Sequence, residues 1–556
     1  MSIETTQPLQ RPVKNTALSA HHAWWFGSLC VAALATVPFI ALLFEALRGS
    51  DNLFAHLWQN VIATALPQTL ILLLGVALIA GSIGTLSAWL VSAYHFPMRR
   101  LLSWALLLPL AMPTYIVAYA YLDILHPIGP VQSAIRLLLG YDSPRDFRLP
   151  DIRSMLGCIL LLGFVLFPYV YIPVRALFLT QSGNLLDAAR MLGTSQRGLF
   201  LKVALPLARP AIAIGLSLAL MEALNDIGAS EFLGVRTLTV SVYTTWITRS
   251  DLPGAAQIAL FMLLVVVALV WMERWARRNH AYAPSAQRFR SIEPIRLKGL
   301  SGVLATVLVG LPVLIGFVAP FSYIVIEAWK RFQFAGLSPK FLSEALNTIS
   351  FASLATVVTL LLGLVVSYCL RLRGDKGSMV AFRLASLGYA APGTIVAIGI
   401  LIALGSFDRN LDAFAKEWFS ISTGLLTIGT GAALLYAYVV RFLTISAGGI
   451  DAGLGRIPKS YDHAARMLGR GTGATLKEVH LPLSKQAIIA AGLLIFVDCV
   501  KELPATLLLR PLNFETFATH LYGEAARGTY EEASIAALAI VLIAMVPVIF
   551  LGRVKY

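Results

Sequence analysis

Residues 187–193 read Asp187-Ala188-Ala189-Arg190-Met191-Leu192-Gly193, and residues 463–469 read His463-Ala464-Ala465-Arg466-Met467-Leu468-Gly469. The two stretches lie 276 residues apart, and the match runs on without a gap. Val203-Ala204-Leu205-Pro206 aligns with Val479-His480-Leu481-Pro482, and Ala211 with Ala487. Upstream, Pro113 aligns with Pro392 and Gln68-Thr69 with Asn347-Thr348, at a separation of 279. Self-similarity over this length marks a duplicated structural unit. The chain is therefore read as two related halves.

The sequence around the repeat is that of a membrane protein. Of 556 residues, 58% are apolar and 13% are charged, against roughly 25% charged in soluble domains. Mean hydropathy is +0.76. A soluble enzyme and intrinsic disorder are both excluded on these grounds. Apolar runs long enough to span a bilayer occur near 24–47, 66–94, 101–123, 154–177, 208–233 and 254–272. Six more lie near 300–328, 346–370, 380–405, 420–446, 484–509 and 532–552. Each is a helix candidate, and the alternating ten-residue strands of a barrel are not seen. The expected fold is all-α and integral to the membrane, with about twelve transmembrane helices in two six-helix units. An even number of spans per unit makes these parallel repeats. The expected divisions are an N-terminal tail (1–23), a first transmembrane domain (24–272), a basic connector (273–299) and a second transmembrane domain (300–556). Ala33-Leu34-Ala35 imitates a signal-peptidase site, but the apolar run continues past it, so an uncleaved first span is expected.

Net charge is +15, and its distribution explains it without nucleic acid. With both termini in the cytoplasm, Arg99 and Arg100, the segments 178–207 and 447–483, the connector 273–299, and Arg371, Arg373 and Lys376 all fall inside. The opposite loops are mixed in charge, as in Asp408, Arg409, Asp412, Lys416 and Glu417. This is the positive-inside pattern. Cys30, Cys158, Cys369 and Cys499 show no CxxC spacing and read as small buried hydrophobes. The histidines form no ligand spacing, and no nucleophilic triad stands out.

Acids inside apolar runs point to a pathway by default. The fifth run carries Glu222, Asp226 and Glu231; its repeat-mate carries Asp498, Lys501 and Glu502. Glu222 aligns with Asp498 and Asp226 with Glu502, each pair spaced i, i+4 on one helix face. Gly228 and Pro504 also align, and both weaken a helix at one level. Two readings stand. The acids line a translocation route, where Glu222, Asp226, Asp498 and Glu502 would be transient hard-oxygen ligands for a metal cation. Otherwise they are structural, with Lys501 pairing with Asp498 or Glu502. Tyr115, Tyr119 and Tyr121 could add oxygens or simply pack.

The duplicated segment resembles the EAA signature of ABC importer permeases, E-A-A-(x)3-G-(x)9-I-x-L-P. Asp187 and His463 stand at the Glu position, and Val203 and Val479 at the Ile position. The resemblance implies that Asp187, Ala188, Ala189, Gly193, Leu205 and Pro206, with His463, Ala464, Ala465, Gly469, Leu481 and Pro482, form coupling segments for the ATPase. It implies two copies of a separate ABC ATPase, which carry ATP and Mg, and no cofactor on this chain. In keeping with that, the sequence contains no Gly-Lys dipeptide and so no Walker A loop. Residues 224–239 and 501–511 resemble the ferric-iron branch of these permeases, as does the fused double layout. This implies an inner-membrane permease that receives Fe(III) from a periplasmic binding protein. Thiamine permeases are fused relatives, so thiamine or another small solute is the alternative cargo. An ion-driven secondary transporter would also have twelve helices and membrane acids, but it would leave the doubled loop unexplained.

Overall fold

The computed structural model describes residues 16–48, 53–180, 189, 191–277, 294–388 and 391–553. Asp187 and Ala188 lie outside the described residues. In the first half the principal helices are α1 (Thr16–Arg48), α2 (Ala63–Ala93), α3 (Arg99–Ala105), α4 (Thr114–Ile124), α5 (Pro130–Leu139), α6 (Met155–Leu166) and α7 (Pro168–Thr180). After the first copy of the repeated segment come α8 (Leu205–Asn225), α9 (Gly228–Phe232), α10 (Leu238–Ile247) and α11 (Leu252–Arg277). The second half holds α12 (Leu300–Val313), α13 (Ala319–Ala335), α14 (Phe341–Arg373), α15 (Lys376–Ala385), α16 (Gly393–Phe419) and α17 (Gly431–Gly455). It ends with α18 (Lys459–Met467), α19 (Leu481–Val500), α20 (Pro504–Leu509), α21 (Phe517–Arg527) and α22 (Tyr530–Arg553). A two-residue parallel pairing joins β1 (Tyr94–His95) to β2 (Ile295–Arg296), so the end of the connector is tied to the end of α2.

Among the described residues, 11 helices are long and apolar enough to cross a membrane. A twelfth is counted if the bent pair Arg99–Ala111 and Thr114–Ile124, which meet at 95°, is one span. The number agrees with the apolar runs, but the third and fifth runs of each half are broken. Pro113 sits at φ −57°, ψ 140° before α4, and Pro392 at φ −50°, ψ 145° before α16. A proline lacks the N–H that would continue the preceding helix, yet it starts the next one without cost. The fifth runs break at Asp226, which is extended, and before Pro504.

The charges at 408–417 were expected in a loop, but α16 continues to Phe419 and carries them. They organise the chain that follows. Asp412 Oδ1 accepts from the backbone N–H groups of Thr423 (2.8 Å) and Gly424 (3.1 Å). Asp408 Oδ2 accepts from those of Thr427 and Ile428, both at 3.0 Å.

Two compact units form. The first draws on Met1–Val37, Leu354–Tyr389 and Val439–Phe496, and the second on Pro38–Ser353, Ala390–Tyr438 and Val497–Tyr556. In the first unit, Val31 and Ala35 of α1 pack with Val366, Ala385 and Leu443. Trp24 meets Tyr368 edge-on at 5.0 Å. So α1, first-half in sequence, packs on second-half helices. The reverse holds in the second unit. Tyr121 OH donates to the Ile315 carbonyl (2.7 Å), and Tyr323 OH to Asp123 Oδ2 (2.6 Å). The leading helix of each half therefore leans on the other half.

The repeat also explains itself locally. Thr69 Oγ1 donates to the Ala65 carbonyl and accepts from Leu238 N at the start of α10. Thr348 Oγ1 donates to the Glu344 carbonyl and accepts from Phe517 N at the start of α21. Each threonine pins the short helix that follows the broken span. One cysteine departs from expectation: Cys30 is exposed on α1, while Cys158, Cys369 and Cys499 are buried.

Gly316 and Gly310 give a paired test of the crossed packing. A Cβ at Gly316 would lie 2.3 Å from the Phe164 carbonyl oxygen, whereas one at Gly310 meets nothing nearer than 3.8 Å. Gly316→Ala should lower the thermal unfolding midpoint, at a cost of about 1–3 kcal/mol from overpacking. Gly310→Ala should leave the midpoint level or raise it. Equal midpoints for the two variants would contradict the crossed arrangement.

Candidate functional site

A helix that restarts inside a bundle begins with N–H groups that have no partner in the helix. At both breaks the aligned acid fills this gap. Asp226 is 6% exposed. Its Oδ2 accepts from Ser230 N (2.7 Å) and Ser230 Oγ (3.0 Å), and its Oδ1 accepts from Thr114 Oγ1 (2.6 Å). Glu502 is 4% exposed. Its Oε1 accepts from Ala505 N (3.0 Å), and its Oε2 from Thr506 N (2.9 Å) and Thr506 Oγ1 (2.7 Å). Each carboxylate thus caps the short helix that restarts the span, where the helix dipole also favours negative charge.

The breaks are also where the two halves meet. Asn225 Oδ1 accepts from Gly393 N (2.7 Å), the first N–H of α16. Tyr115 OH, on α4, donates to the Lys501 carbonyl (3.3 Å). So the break in each half docks on the proline-started helix of the other. Gly228 permits this approach: a Cβ there would lie 2.5 Å from Tyr115 Cβ.

The remaining acids are placed differently. Lys501 Nζ pairs with Asp498 Oδ1 at 2.8 Å. Glu222 is half-buried. Glu231 accepts from Tyr522 OH, and Phe232 stacks on the Tyr522 ring at 5.6 Å. Among the described residues no three His, Cys, Asp or Glu side chains gather to hold a metal ion. Three of the four aligned acids are thus engaged, Asp226 and Glu502 as caps and Asp498 in the pair with Lys501. Tyr115 and Tyr119 are buried in packing.

The two copies of the repeated segment share their geometry where both are described. Gly193 (φ +78°) and Gly469 (φ +74°) take the left-handed conformation that glycine adopts without strain. Before them stand exposed apolar side chains, Met191 and Leu192 in one copy, Met467 and Leu468 in the other. Ala189 is half-buried; His463 and Ala464 are exposed, and Ala465 is buried against the body. A π-turn, Leu199–Ala204 or Leu476–His480, precedes Leu205-Pro206 or Leu481-Pro482. Each proline, with no N–H to donate and a ring that crowds the preceding turn, accounts for that widening.

A clamp that the sequence reading missed holds the second copy. Asp462 Oδ2 lies 2.6 Å from Arg371 Nη2, and Asp462 Oδ1 lies 3.0 Å from His480 Nε2. Arg371 also donates to the Leu454 (2.5 Å) and Ile457 (3.2 Å) carbonyls. The clamp fastens α18 to α14 and α19. Its signal was present: Asp462 adjoins His463, and His480 lies inside the repeated Val-x-Leu-Pro. Neither suggested a partner 91 residues away.

The short helices that follow the broken fifth spans differ between the halves. At α21, His520 Nδ1 lies 3.1 Å from the buried Glu344 Oε1. The hydrogen bond to Glu344 raises the His520 pKa above 6.5; burial opposes this, and the charges of Glu344, Glu524 and Glu515 add to it.

The chain matches the family described as the binding-protein-dependent transport system inner membrane component over residues 80–280. It is 22% identical to the Fe(3+)-transport system permease protein FbpB 2 of Haemophilus influenzae, covering 94% of this chain and 96% of that protein. It is 25% identical to the probable ABC transporter permease protein y4fN of Sinorhizobium fredii, over 94% of both chains. A probable sulfate transport system permease protein, cysT of Nephroselmis olivacea, is 27% identical over 46% of this chain and 90% of its own length.

Two predictions follow from the caps and the ion pairs. Glu502→Ala removes a cap worth about 0.5–2 kcal/mol. It should lower the unfolding midpoint and speed hydrogen exchange at Ala505 and Thr506, while Glu502→Gln does so less; unchanged exchange in the alanine variant would refute the cap. A group whose pKa is raised on folding stabilises the fold at low pH and loses that contribution as pH rises through its folded value. The stability gap between the wild type and His520→Gln should therefore be full below pH 6.5 and close above the raised value. A gap that stays constant with pH would contradict the His520–Glu344 pairing.

Proposed function

We propose that this chain, which matches the inner membrane component of binding-protein-dependent transport systems over residues 80–280 and has 11 helices among the described residues long and apolar enough to cross a membrane, is a multi-pass, non-catalytic ABC importer permease that carries Fe(III) from a periplasmic binding protein into the cytoplasm. The iron reading is supported by the full-length likeness to a permease named for Fe(3+) transport. It fits a fused chain, because the sulfate permease matches only half of it. In the proposed arrangement both termini face the cytoplasm, and two ATPase subunits hold the segments around 187–193 and 463–469. The exposed Met191-Leu192 and Met467-Leu468 steps suit an apolar groove on such a partner.

The observation that carries the mechanism is the reciprocal docking of the two breaks, Asn225 on Gly393 and Tyr115 on Lys501. A rocking motion driven from the coupling segments would part these contacts. Parting them frees the break of each half from the opposite half and brings the acids toward the opened route. There Glu222, Asp226, Asp498 and Glu502 would offer hard oxygen ligands in passing, with Glu231 nearer the mouth. Weak, transient ligation suits a conduit, since tight binding would trap the cargo.

The test uses the chain with its ATPase and binding protein in lipid vesicles, supplied in parallel with Fe(III), thiamine, a phosphonate and sulfate. ATP hydrolysis stimulated with uptake of Fe(III) alone is the expected result; stimulation by thiamine or an anion instead would replace the cargo. Gly469→Val, which strains a positive φ by about 1–2 kcal/mol, should uncouple hydrolysis from uptake. Uptake at the wild-type ratio would remove the coupling role from that turn.

A further inference from the structure

We propose that Tyr243, Tyr522 and Glu231 form a contact point for the cargo on the axis between the two halves, where two phenol oxygens and a carboxylate take a hard, highly charged cation. The inference rests on the iron reading above and adds ligands to it. The three side chains come from α10, α21 and α9. Tyr522 OH donates to Glu231 Oε2. The Tyr243 and Tyr522 rings meet edge-on at 6.2 Å, and their hydroxyls lie within hydrogen-bonding reach of each other. Phe232 stacks on the Tyr522 ring and holds it from the other side. Tyr522 is buried, and Tyr243 and Glu231 are half-buried. Arg510, whose charge reaches Tyr243, is paired with Glu515.

A phenol on a carboxylate is by itself an ordinary way to bury both groups. The repeat adds a second observation. Thr69 and Thr348 take the N–H groups of Leu238 and Phe517, which sets α10 and α21 in register at a separation of 279. In that register Tyr243 and Tyr522 are the same position of the two halves. A residue that touches its own mate lies on the twofold axis relating the two units, because every other position is carried away from itself. The breaks agree with such an axis: Asn225 and Lys501, which are also repeat-mates, each bond across to the opposite half. In transporters built of repeats the cargo passes at the interface between them. The paired tyrosines therefore stand across the route and must part when it opens. Parting presents two hydroxyls and the Glu231 carboxylate to what enters. Fe(III) favours hard anionic oxygens, phenolate among them. Each phenol that binds gives its proton to water and regains one when the ion moves on. Leu507 stands at the position of Glu231 in the second half, so the group is limited to three side chains. That suffices to hold an ion in passing and is too few to retain it.

The experiment uses the full chain in lipid nanodiscs with ATP and a form of its ATPase that binds ATP without hydrolysing it, and adds Fe(III) as the nitrilotriacetate complex. The expected result is a visible charge-transfer band, which Fe(III) gives with phenolate and not with carboxylates alone. Tyr243→Phe and Tyr522→Phe keep the rings; each should weaken the band, and the double variant should abolish it. Glu231→Gln should raise the Fe(III) concentration needed by about tenfold. Tyr141→Phe, at a ring stacked on Phe147, should change nothing. A band absent from the wild type, or kept by the double variant, overturns the site. A second arm measures Fe(III) uptake in vesicles with the binding protein, in variants that retain the wild-type unfolding midpoint. The double variant should take up Fe(III) about tenfold more slowly. Uptake by the wild type that the double variant matches overturns the site and leaves the cargo reading standing. A wild type that takes up no Fe(III) overturns the cargo reading, and the site with it.

Discussion

A backbone N–H that loses its helical partner within a membrane cannot turn to water, and the cost of leaving it unmet is several kcal/mol. Asp226 and Glu502 meet that demand at the two broken spans. Much else in the second unit depends on them. With the breaks capped, Asn225 and the Lys501 carbonyl bond outward, to the opposite half. The same proline-started helices that receive these bonds begin at Pro113 and Pro392, so four irregular points become one cross-braced layer. A charge that would be a liability in hydrocarbon acts here as the acceptor that makes irregular backbone tolerable.

Close approach of backbones sets a second condition. Gly228 stands against Tyr115, Gly316 against the Phe164 carbonyl, and Gly399 within 2.2 Å, at its missing Cβ, of the Pro38 carbonyl. Between membrane helices, where lipid is as apolar as any side chain, such contacts are a main source of association. They also let α1 and the α12–α13 pair each lean on the half to which they do not belong by sequence. A relative motion of the halves would therefore carry these leading helices with the partner they pack on.

The duplication is not a copy in its polar chemistry. The second half fastens its copy of the repeated helix through Asp462, Arg371 and His480, and pairs His520 with Glu344. The aligned first-half positions include Ala204 in place of His480 and Thr245 in place of Glu524. Equivalent local backbones with unequal charge make the two halves chemically distinguishable.

Hydropathy and the repeat sufficed to determine the class. Apolar runs report the bilayer, and Ala-Ala-Arg-Met-Leu-Gly at two positions reports duplication, because each is a local property of the chain. Gly228, Pro504, Pro113 and Pro392 even marked where helices weaken. The role of the acids was left open between pathway and structure, since i, i+4 spacing says which face a carboxylate shares and nothing about which N–H it meets. Thr114 and Asp226 are 112 residues apart, and Arg371 and Asp462 are 91 apart. The charges at 408–417 were misplaced for a related reason: charge alone does not end a helix whose acids find acceptor work in the next loop. Only the folded chain decided the caps, the crossed leading helices and the Asp462 clamp, because each is a contact between segments whose proximity no local pattern encodes.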